Sequence, residues 1–559
     1  MPGPDHPPLT TAFTVLLIGI ASAAAAIAPL DVSMAVDIDR ARFEKHVEVL
    51  ASDAFEGRAP ASAGEKKTIA YLTEQFAAIG LEPVGDSYLQ PVPLIEITAS
   101  PDTRLEVRDE QGEDVARLDY GDDVMLWTKR VEARVSLAGS DMVFVGYGIV
   151  APEYGWNDYE GVDVAGKTVV MLINDPGFAA QDDALFRGNA MTYYGRWTYK
   201  FEEAARQGAA AALIIHETAP AAYPWEVVRN SWSGPQFDLV SENGNADRIS
   251  VEGWITRRAA NALFTRVGLT YTQAAGIAGN RDFRPVPLRA NASVTLSNAI
   301  RQSDSFNVIG RLAGTERPDE HIAYMAHWDH LGRDVTLEGD QIFNGAVDNA
   351  TGVAAVIELA RAFAKADPAP ERSLLFMAVT AEESGLLGSR HYAEHPLVAP
   401  AKTVAAINID AMNVDGPTHD VVVVGFGQSE LENYLREAAQ AQNRRVEPEP
   451  TPERGSYFRS DHFNFASIGV PALYAESGID YVGRAREWGI ERSRDYNANR
   501  YHKPGDEYDP QRWNLDGAMQ DMALYYAIGA RLAGESTFPQ WFEGSEFKAI
   551  RDRTGTGER

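Results

Sequence analysis

Apolar residues recur at three-and-four spacing through residues 38–50 and again through 64–80, where Ile69, Leu72, Phe76 and Ile79 share a face and Gly80 supplies a stop. Two helices are therefore expected near the start of the chain. Short alternating strands follow over 91–137. The texture then changes: MVFVGYGIV, VAGKTVVMLIN and the Ala-rich KFEEAARQGAAAALIIH predict strand, strand, helix and strand, a small α/β module within 139–298. From residue 305 near-continuous apolar runs (IAYMAHWDH, SLLFMAVT, TVAAINID, VPALYAES) alternate with amphipathic stretches such as GVAAVIELARAFAKA. That pattern predicts an α/β fold, a mixed and mostly parallel sheet buried between helices on both faces. The sequence beyond Gly534 reads as a surface tail.

With 559 residues, of which 45% are hydrophobic and 23% charged, the chain has room for three or four domain-equivalents and excludes whole-chain disorder. Its 51 basic and 80 acidic residues give a net charge of −29, which argues against a nucleic-acid partner and favours cationic ones, metal ions and amines included. The absence of cysteine removes disulfide scaffolds, thiol nucleophiles and thiolate-bound metal. Residues 11–30, TAFTVLLIGIASAAAAIAPL, form an uncharged apolar run with small-residue cleavage frames. This predicts export to the periplasm or medium by a cleaved signal peptide. The MPGPDHPP start lacks the usual basic residue, and the alternative is an uncleaved amino-terminal membrane anchor. No other stable membrane association is expected.

In a parallel sheet covered on both faces, functional groups collect just past the carboxyl ends of the strands. Those positions hold His327 and Asp329 in MAHWDHLG, Asp348 in the turn FNGAVDNATG, Glu382 and Glu383 in AVTAEESGLLGS, and Asp410 in INIDAMN; His502 follows later in RYHKPGDE. Singly, each has an ordinary structural reading: a hydrogen-bonded histidine, a helix cap, a solvated acidic loop. Together they place several acids and two histidines on one rim, with few basic residues beside them. Ionised carboxylates after such apolar strands are costly to desolvate unless they bind cations or pair with one another. Imidazoles and carboxylates without thiols suit borderline-hard divalent ions such as zinc.

The stretches AHWDHLG, GAVDNATG, TAEESGLLGS, NIDAMN, RSDHFNFASIGVPAL and RYHKPGDE, in that order over roughly 320–510, resemble the M28 family of dizinc exopeptidases. The resemblance implies a phosphorylase/hydrolase-like zinc exopeptidase fold. The region around GKTVVMLIN and GAAAALIIH is similar to the protease-associated (PA) domain often inserted into these enzymes, and residues 38–80, including LASDAFEGR, resemble the start of the peptidase domain. The implied organisation is a signal peptide or anchor over 1–30, a first part of the peptidase domain over 37–138, a PA-like insertion over 139–298, the main peptidase part over 299–540 and a tail over 541–559. Carried over by motif, two Zn2+ ions (with Co2+ or Mn2+ as substitutes) are expected. His327, Asp348 and Asp410 would hold one, and Asp348, Glu383 and His502 the other, so that Asp348 bridges. Glu382 would be the general base. Asp329 would accept a hydrogen bond from the His327 imidazole, Tyr501 would stabilise an oxyanion, and Arg459 would contact substrate. His330 and His462 are expected in supporting or packing roles. The chain departs from the family pattern at Asn349, where many relatives carry a second Asp; relatives often have a cis peptide at this step, and one is expected between Asp348 and Asn349.

The acidic rim favours peptides with a free amino terminus, hence an aminopeptidase, with hydrophobic amino-terminal residues preferred. Tyr481, Trp488, Tyr496, Phe458 and Tyr474 are candidates for an apolar pocket. A carboxypeptidase would need an Arg cluster to grip a terminal carboxylate, and the basic stretch VGRAREWGIERSRDYNANR, read as a loop, keeps that alternative open. A single-zinc glutaminyl cyclase and a non-catalytic receptor of the same fold are further alternatives. No G-x-S-x-G elbow occurs, and His216–Glu217 lacks the second histidine of H-E-x-x-H.

Overall fold

The computed structural model describes residues 38–100, 103–182 and 185–556, so the apolar segment 11–30 lies outside the described residues. Among those residues no helix is long and apolar enough to cross a membrane. The two expected early helices are Arg40–Leu50 and Ala63–Ile79. Asp39 caps the first, accepting from the Arg42 amide at 2.8 Å, and Ser62 caps the second. Gly80 ends that helix at φ 91°, a left-handed conformation that a side chain would oppose.

The four apolar runs form adjacent parallel strands in the spatial order Arg372–Val379, Arg317–His327, Thr403–Asn408, Ala472–Ser477. Antiparallel neighbours flank them, with Val286–Leu312 and Leu89–Ala99 on one side and Asp420–Val423 on the other. The sheet is thus mixed with a parallel centre. Alternate side chains enter opposite cores, as the two-residue period of a strand requires. Ile322, Tyr324 and Ala326 pack with Val353, Ile357, Met522 and Ile528 from helices Gly352–Ala364 and Asp516–Gly534. On the other face Ala323 and Met325 pack with Tyr392, Phe465 and Ala466 from helices Leu387–Glu394 and His462–Ser467. Helices on both faces explain why the central strands are apolar at nearly every position. Their shared direction brings the chain just after His327, Val379 and Asn408 to one edge.

The strand Val286–Leu312 belongs to two sheets. From Asn298 onward it pairs in the main sheet, while residues 286–297 pair with Arg104–Asp109 and Arg134–Phe144 in a second sheet. The second sheet continues through the parallel strands Thr168–Leu172, Ala211–His216 and Val251–Thr256. Helix Trp197–Arg206 connects the first two of these, as the strand–helix–strand texture predicts. This sheet is covered by apolar clusters of its own. The step in composition at residue 139 falls inside the strand Arg134–Phe144: the chain enters the second sheet already at Arg104, through alternating strands whose pattern matches those of the main sheet.

Two expectations are corrected. The chain beyond Gly534 is not a free tail, because Trp541 and Phe547 are buried in the core under the Phe465 face and the helix Lys548–Thr556 follows them. Two aromatic anchors spaced among polar residues have no periodicity to reveal them. The basic stretch read as a loop is largely the helix Arg486–Asn499, mostly solvent-facing, which explains its lack of an apolar stripe. Trp541 is 2% exposed and its indole N–H donates to the Gly469 carbonyl at 3.0 Å. Trp541→Ala is expected to lower stability by about 3 kcal/mol in a urea melt, whereas Glu543→Ala at an exposed neighbouring position should shift it by less than about 0.5 kcal/mol.

Candidate metal centre

At the carboxyl edge of the parallel strands, Asp348 stands between two imidazoles. Its Oδ1 lies 3.2 Å from His327 Nε2 and its Oδ2 lies 3.3 Å from His502 Nε2. Each imidazole nitrogen meets a second carboxylate. Asp410 Oδ1 is 3.2 Å from His327 Nε2, and Glu383 Oε2 is 2.9 Å from His502 Nε2. The five residues expected as ligands therefore converge as two trios that share Asp348, and donor atoms of His327, Asp348 and Glu383 all lie within 4.8 Å of one another.

Polar contacts on the backbone build this convergence. Asp348 follows Gly345 in the turn ahead of helix Gly352–Ala364, and the Asp348–Asn349 peptide is cis. The Asn349 side chain donates to the Ile409 carbonyl at 3.0 Å and accepts from the Ala411 and Gly352 amides, so it ties the Asp348 turn to the strand end that carries Asp410. A carboxylate at 349 would have no donor for that carbonyl. Asp506, within the RYHKPGDE stretch, accepts from the amides of Val347 and Asp348. Arg58, 1% exposed, donates to the carbonyls of Leu50, Trp328, Asn344 and Gly345, pinning the loops on either side of the cluster. Burial pulls its pKa down to about 10, against the opposing pull of Asp506, Asp329, Asp348 and Glu383. Sequence reasoning singled out neither Arg58 nor Asp506. Both lie inside motifs, at the ends of LASDAFEGR and RYHKPGD, and their positions there are the one signal that could have found them.

Asp329 acts differently from the expectation. His327 Nδ1 lies 3.1 Å from the Asp329 main-chain carbonyl and 3.8 Å from its carboxylate. The Asp329 carboxylate instead accepts the amides of Glu382, at 3.1 Å, and Glu383. The carbonyl is a pure acceptor, so Nδ1 carries a hydrogen, and Nε2, facing Asp348 and Asp410, is the nitrogen that would meet a cation in place of its proton. Holding those two amides, with Ala381 at φ 52°, Asp329 shapes the turn on which Glu382 and Glu383 diverge. Glu383 also meets His330 Nδ1 at 2.6 Å, which gives His330 its supporting role. His462 is buried against Tyr457 and Tyr474. Ser460 donates to Asp410 at 2.7 Å and accepts from Asn408, fixing the remaining carboxylate.

The electrostatics are those of too many acids in too little water. Burial disfavours charge on His502, but Glu383 and Asp348 outweigh it and raise its pKa to about 10; His327 is likewise raised, by Asp410, Glu382 and Asp348. Despite burial, the imidazoles hold Asp348 well below the usual carboxylate range, and Glu383 falls to about 2. Glu382 goes the other way, pushed well up by burial and then by Asp410 and Glu383, and burial raises Asp329 to about 7. Two imidazole nitrogens and carboxylates of three residues, arranged so that one carboxylate offers an oxygen to each side, form a donor set that fits two borderline-hard divalent cations.

Glu382, Glu383, Tyr501 and His502 line a cavity of about 620 Å³ between the two sheets. Tyr501 is 44% exposed and its ring stacks on His502 at 3.9 Å between centroids. Arg459 lines the same cavity, its guanidinium 5.8 Å from the Tyr223 ring. Of the aromatic residues expected there, Phe458 contributes. Tyr474 is buried in the core, Tyr481 and Trp488 pack edge to face on one another, and Tyr496 packs beside Tyr501. The aromatic wall comes instead from the second sheet, through Trp197, Phe201 and Trp232.

Residues 307–527 match the sequence model of Peptidase family M28. The aminopeptidase NAALADL1 of Mus musculus is 31% identical over 149 residues, 26% of this chain and 18% of that protein. A probable zinc metalloprotease of Pyrenophora tritici-repentis (strain Pt-1C-BFP) is 27% identical over 216 residues, 37% of this chain and 48% of that protein. The chain thus spans less than half the length of each of these relatives. The solved aminopeptidase from Aneurinibacillus sp. strain AM-1 is 20% identical, with 90% of this chain and 96% of that one covered at a TM-score of 0.49.

With a chelator present, the charged imidazoles stabilise the fold below their unfolded pKa of about 6.5, and that contribution is lost as pH rises toward the folded value of His502, about 10. Asp329, raised to about 7, adds to the loss up to about that pH, because the folded state still holds a proton that the unfolded chain has released. The thermal midpoint of chelated protein should therefore fall between pH 6 and 9.5, and excess zinc should flatten that decline, as followed by scanning calorimetry.

Proposed function

We propose, from the match of residues 307–527 to Peptidase family M28 and the geometry of the cluster, that this chain is a two-zinc aminopeptidase that removes residues from the amino terminus of peptides. The observation that carries the proposal is the placement of Asp348, each of whose carboxylate oxygens faces a different imidazole, with Asp410 and Glu383 completing the two trios. His327, Asp348 and Asp410 would hold one ion and His502, Glu383 and Asp348 the other. Bound there, zinc supplies Lewis acidity, acidifying a water and polarising the scissile carbonyl.

The remaining chemistry belongs to the chain. Glu382, at the cavity wall with its pKa raised by burial, takes a proton from the attacking water and returns it to the leaving amine. Asp329 positions it through the turn amides. Tyr501, half-exposed at the cavity, donates its hydroxyl to the developing oxyanion. Glu382 and Asp410 receive the free ammonium group, and Arg459 contacts the peptide further out. The Trp197, Phe201 and Trp232 wall takes an apolar side chain, consistent with a preference for hydrophobic amino-terminal residues. The second sheet would serve as the PA-type cover of the cavity, and residues 11–30 as the export signal. Two complete trios speak against a single-zinc cyclase, and the retained Glu382 against a non-catalytic receptor.

The test compares free and N-acetylated peptides on chelated and zinc-restored protein: cleavage confined to free amino termini is expected, and cleavage from the carboxyl end would overturn the aminopeptidase assignment. Glu382→Gln should retain its zinc by atomic absorption while kcat drops by about 10²–10⁴. Full activity in that variant would reject Glu382 as the base.

A further inference from the structure

Two arginines of the cavity wall, Arg196 and Arg459, make no ion pair among the described residues. Arg196 is 8% exposed, its Nε has no hydrogen-bond partner, and the charged group acting most strongly on it is another arginine, Arg459. Among the described residues no carboxylate pairs with either guanidinium. Both face aromatic rings: Trp197 lies 5.9 Å from the Arg196 guanidinium and Tyr223 lies 5.8 Å from that of Arg459. Of the other arginines and lysines of the wall, Arg248 contributes to the field at Asp238 without a close ion pair among the described residues, and the remaining three are paired. Lys129 and Arg390 share Asp238, and Arg206 pairs with Glu203 at 2.8 Å. Arg196 also directly precedes the helix Trp197–Arg206, which begins without a side-chain cap and whose first residues, Trp197 and Thr198, line the same cavity. The positive end of that helix adds to the two guanidiniums.

Burying a guanidinium without an anion is unfavourable, and doing so beside a second one is more so; burial together with Arg459 brings the Arg196 pKa down to about 9. A planar fork of donors facing a cavity matches the two oxygens of a carboxylate. Resting on the peptidase reading, we infer that Arg196 and Arg459 form a carboxylate-binding subsite, so that the favoured substrates carry an anionic group beyond the bond cut at Glu382. Arg196 comes from the second sheet and Arg459 from the main one, so the substrate carboxylate clamps across the seam between them. A carboxylate can come from the carboxyl terminus of a short peptide or from an acidic side chain. The first source makes the enzyme selective for very short peptides, and the second makes it selective for Asp or Glu at the position after the cut.

The experiment titrates metal-depleted full-length protein calorimetrically with Leu-Gly against Leu-Gly-amide, and with Leu-Glu-amide against Leu-Gln-amide. At least one carboxylate member should bind about tenfold or more tightly than its neutral partner; preference in the first pair assigns the terminal carboxylate and in the second the side chain. Arg196→Met should bring that ratio close to one. Arg459→Met, at an exposed position, should do the same and decides the matter if the first variant does not fold. Equal affinities within both pairs, or a preference intact in folded Arg196→Met and Arg459→Met, would overturn the subsite. With zinc restored, turnover of the four peptides is a separate readout: a preference in binding without any cleavage would remove the peptidase reading and leave the subsite standing.

Discussion

Everything at the rim depends on one buried carboxylate shared between two imidazoles. Asp348 can face both His327 and His502 only because its turn is held rigidly at the strand edge, and it can stay ionised there only because positive charge lies on both sides. Glu382, Glu383, Asp410 and Asp329 crowd the same volume. Such a gathering is unfavourable in a low-dielectric setting unless cations neutralise it. The imidazoles supply part of that charge when protonated, and two divalent ions would supply more of it with fixed geometry. The proposed chemistry and the electrostatics of the fold therefore have the same origin.

The scaffold meets this demand with backbone contacts. Arg58 spends its donors on four carbonyls, Asp506 takes the amides of the Asp348 turn, Asn349 bridges that turn to the Asp410 strand end, and Asp329 takes the amides of the Glu382–Glu383 turn. None of the four supplies an atom to the two trios. Each fixes a loop whose position would otherwise follow weakly from packing, and hydrogen bonds to charged groups are the strong ones. The carboxylate of Asp329, expected against His327, is used in this way because its own carbonyl already satisfies the imidazole.

The second sheet turns a rim into an enclosed site. The single long strand Val286–Leu312 runs through both sheets, so the wall of Trp197, Phe201 and Trp232 is held against the carboxylate-lined edge by continuous backbone. The cavity thus joins an acidic floor from one body to an aromatic and basic wall from the other. Arg196 and Arg459 stand on opposite sides of that seam.

The four central strands, their covering helices and the early helix pair were legible in the chain because a buried parallel strand and an amphipathic helix each leave a period in the sequence. The acids and histidines at the strand ends were legible through their motifs, and the fold brings them together as two trios. Composition misled where structure rests on isolated anchors: the Trp541 segment, the solvent-facing helix Arg486–Asn499, and the second sheet that begins at Arg104 instead of at the change in texture. The contacts of Arg58, Asp506 and Asn349, the carbonyl in place of the carboxylate at Asp329, and the meeting of Arg196 with Arg459 were decided by tertiary structure alone. Local sequence records periodicity and residue chemistry, whereas a hydrogen bond between positions hundreds of residues apart leaves no mark in either segment until the fold brings them together.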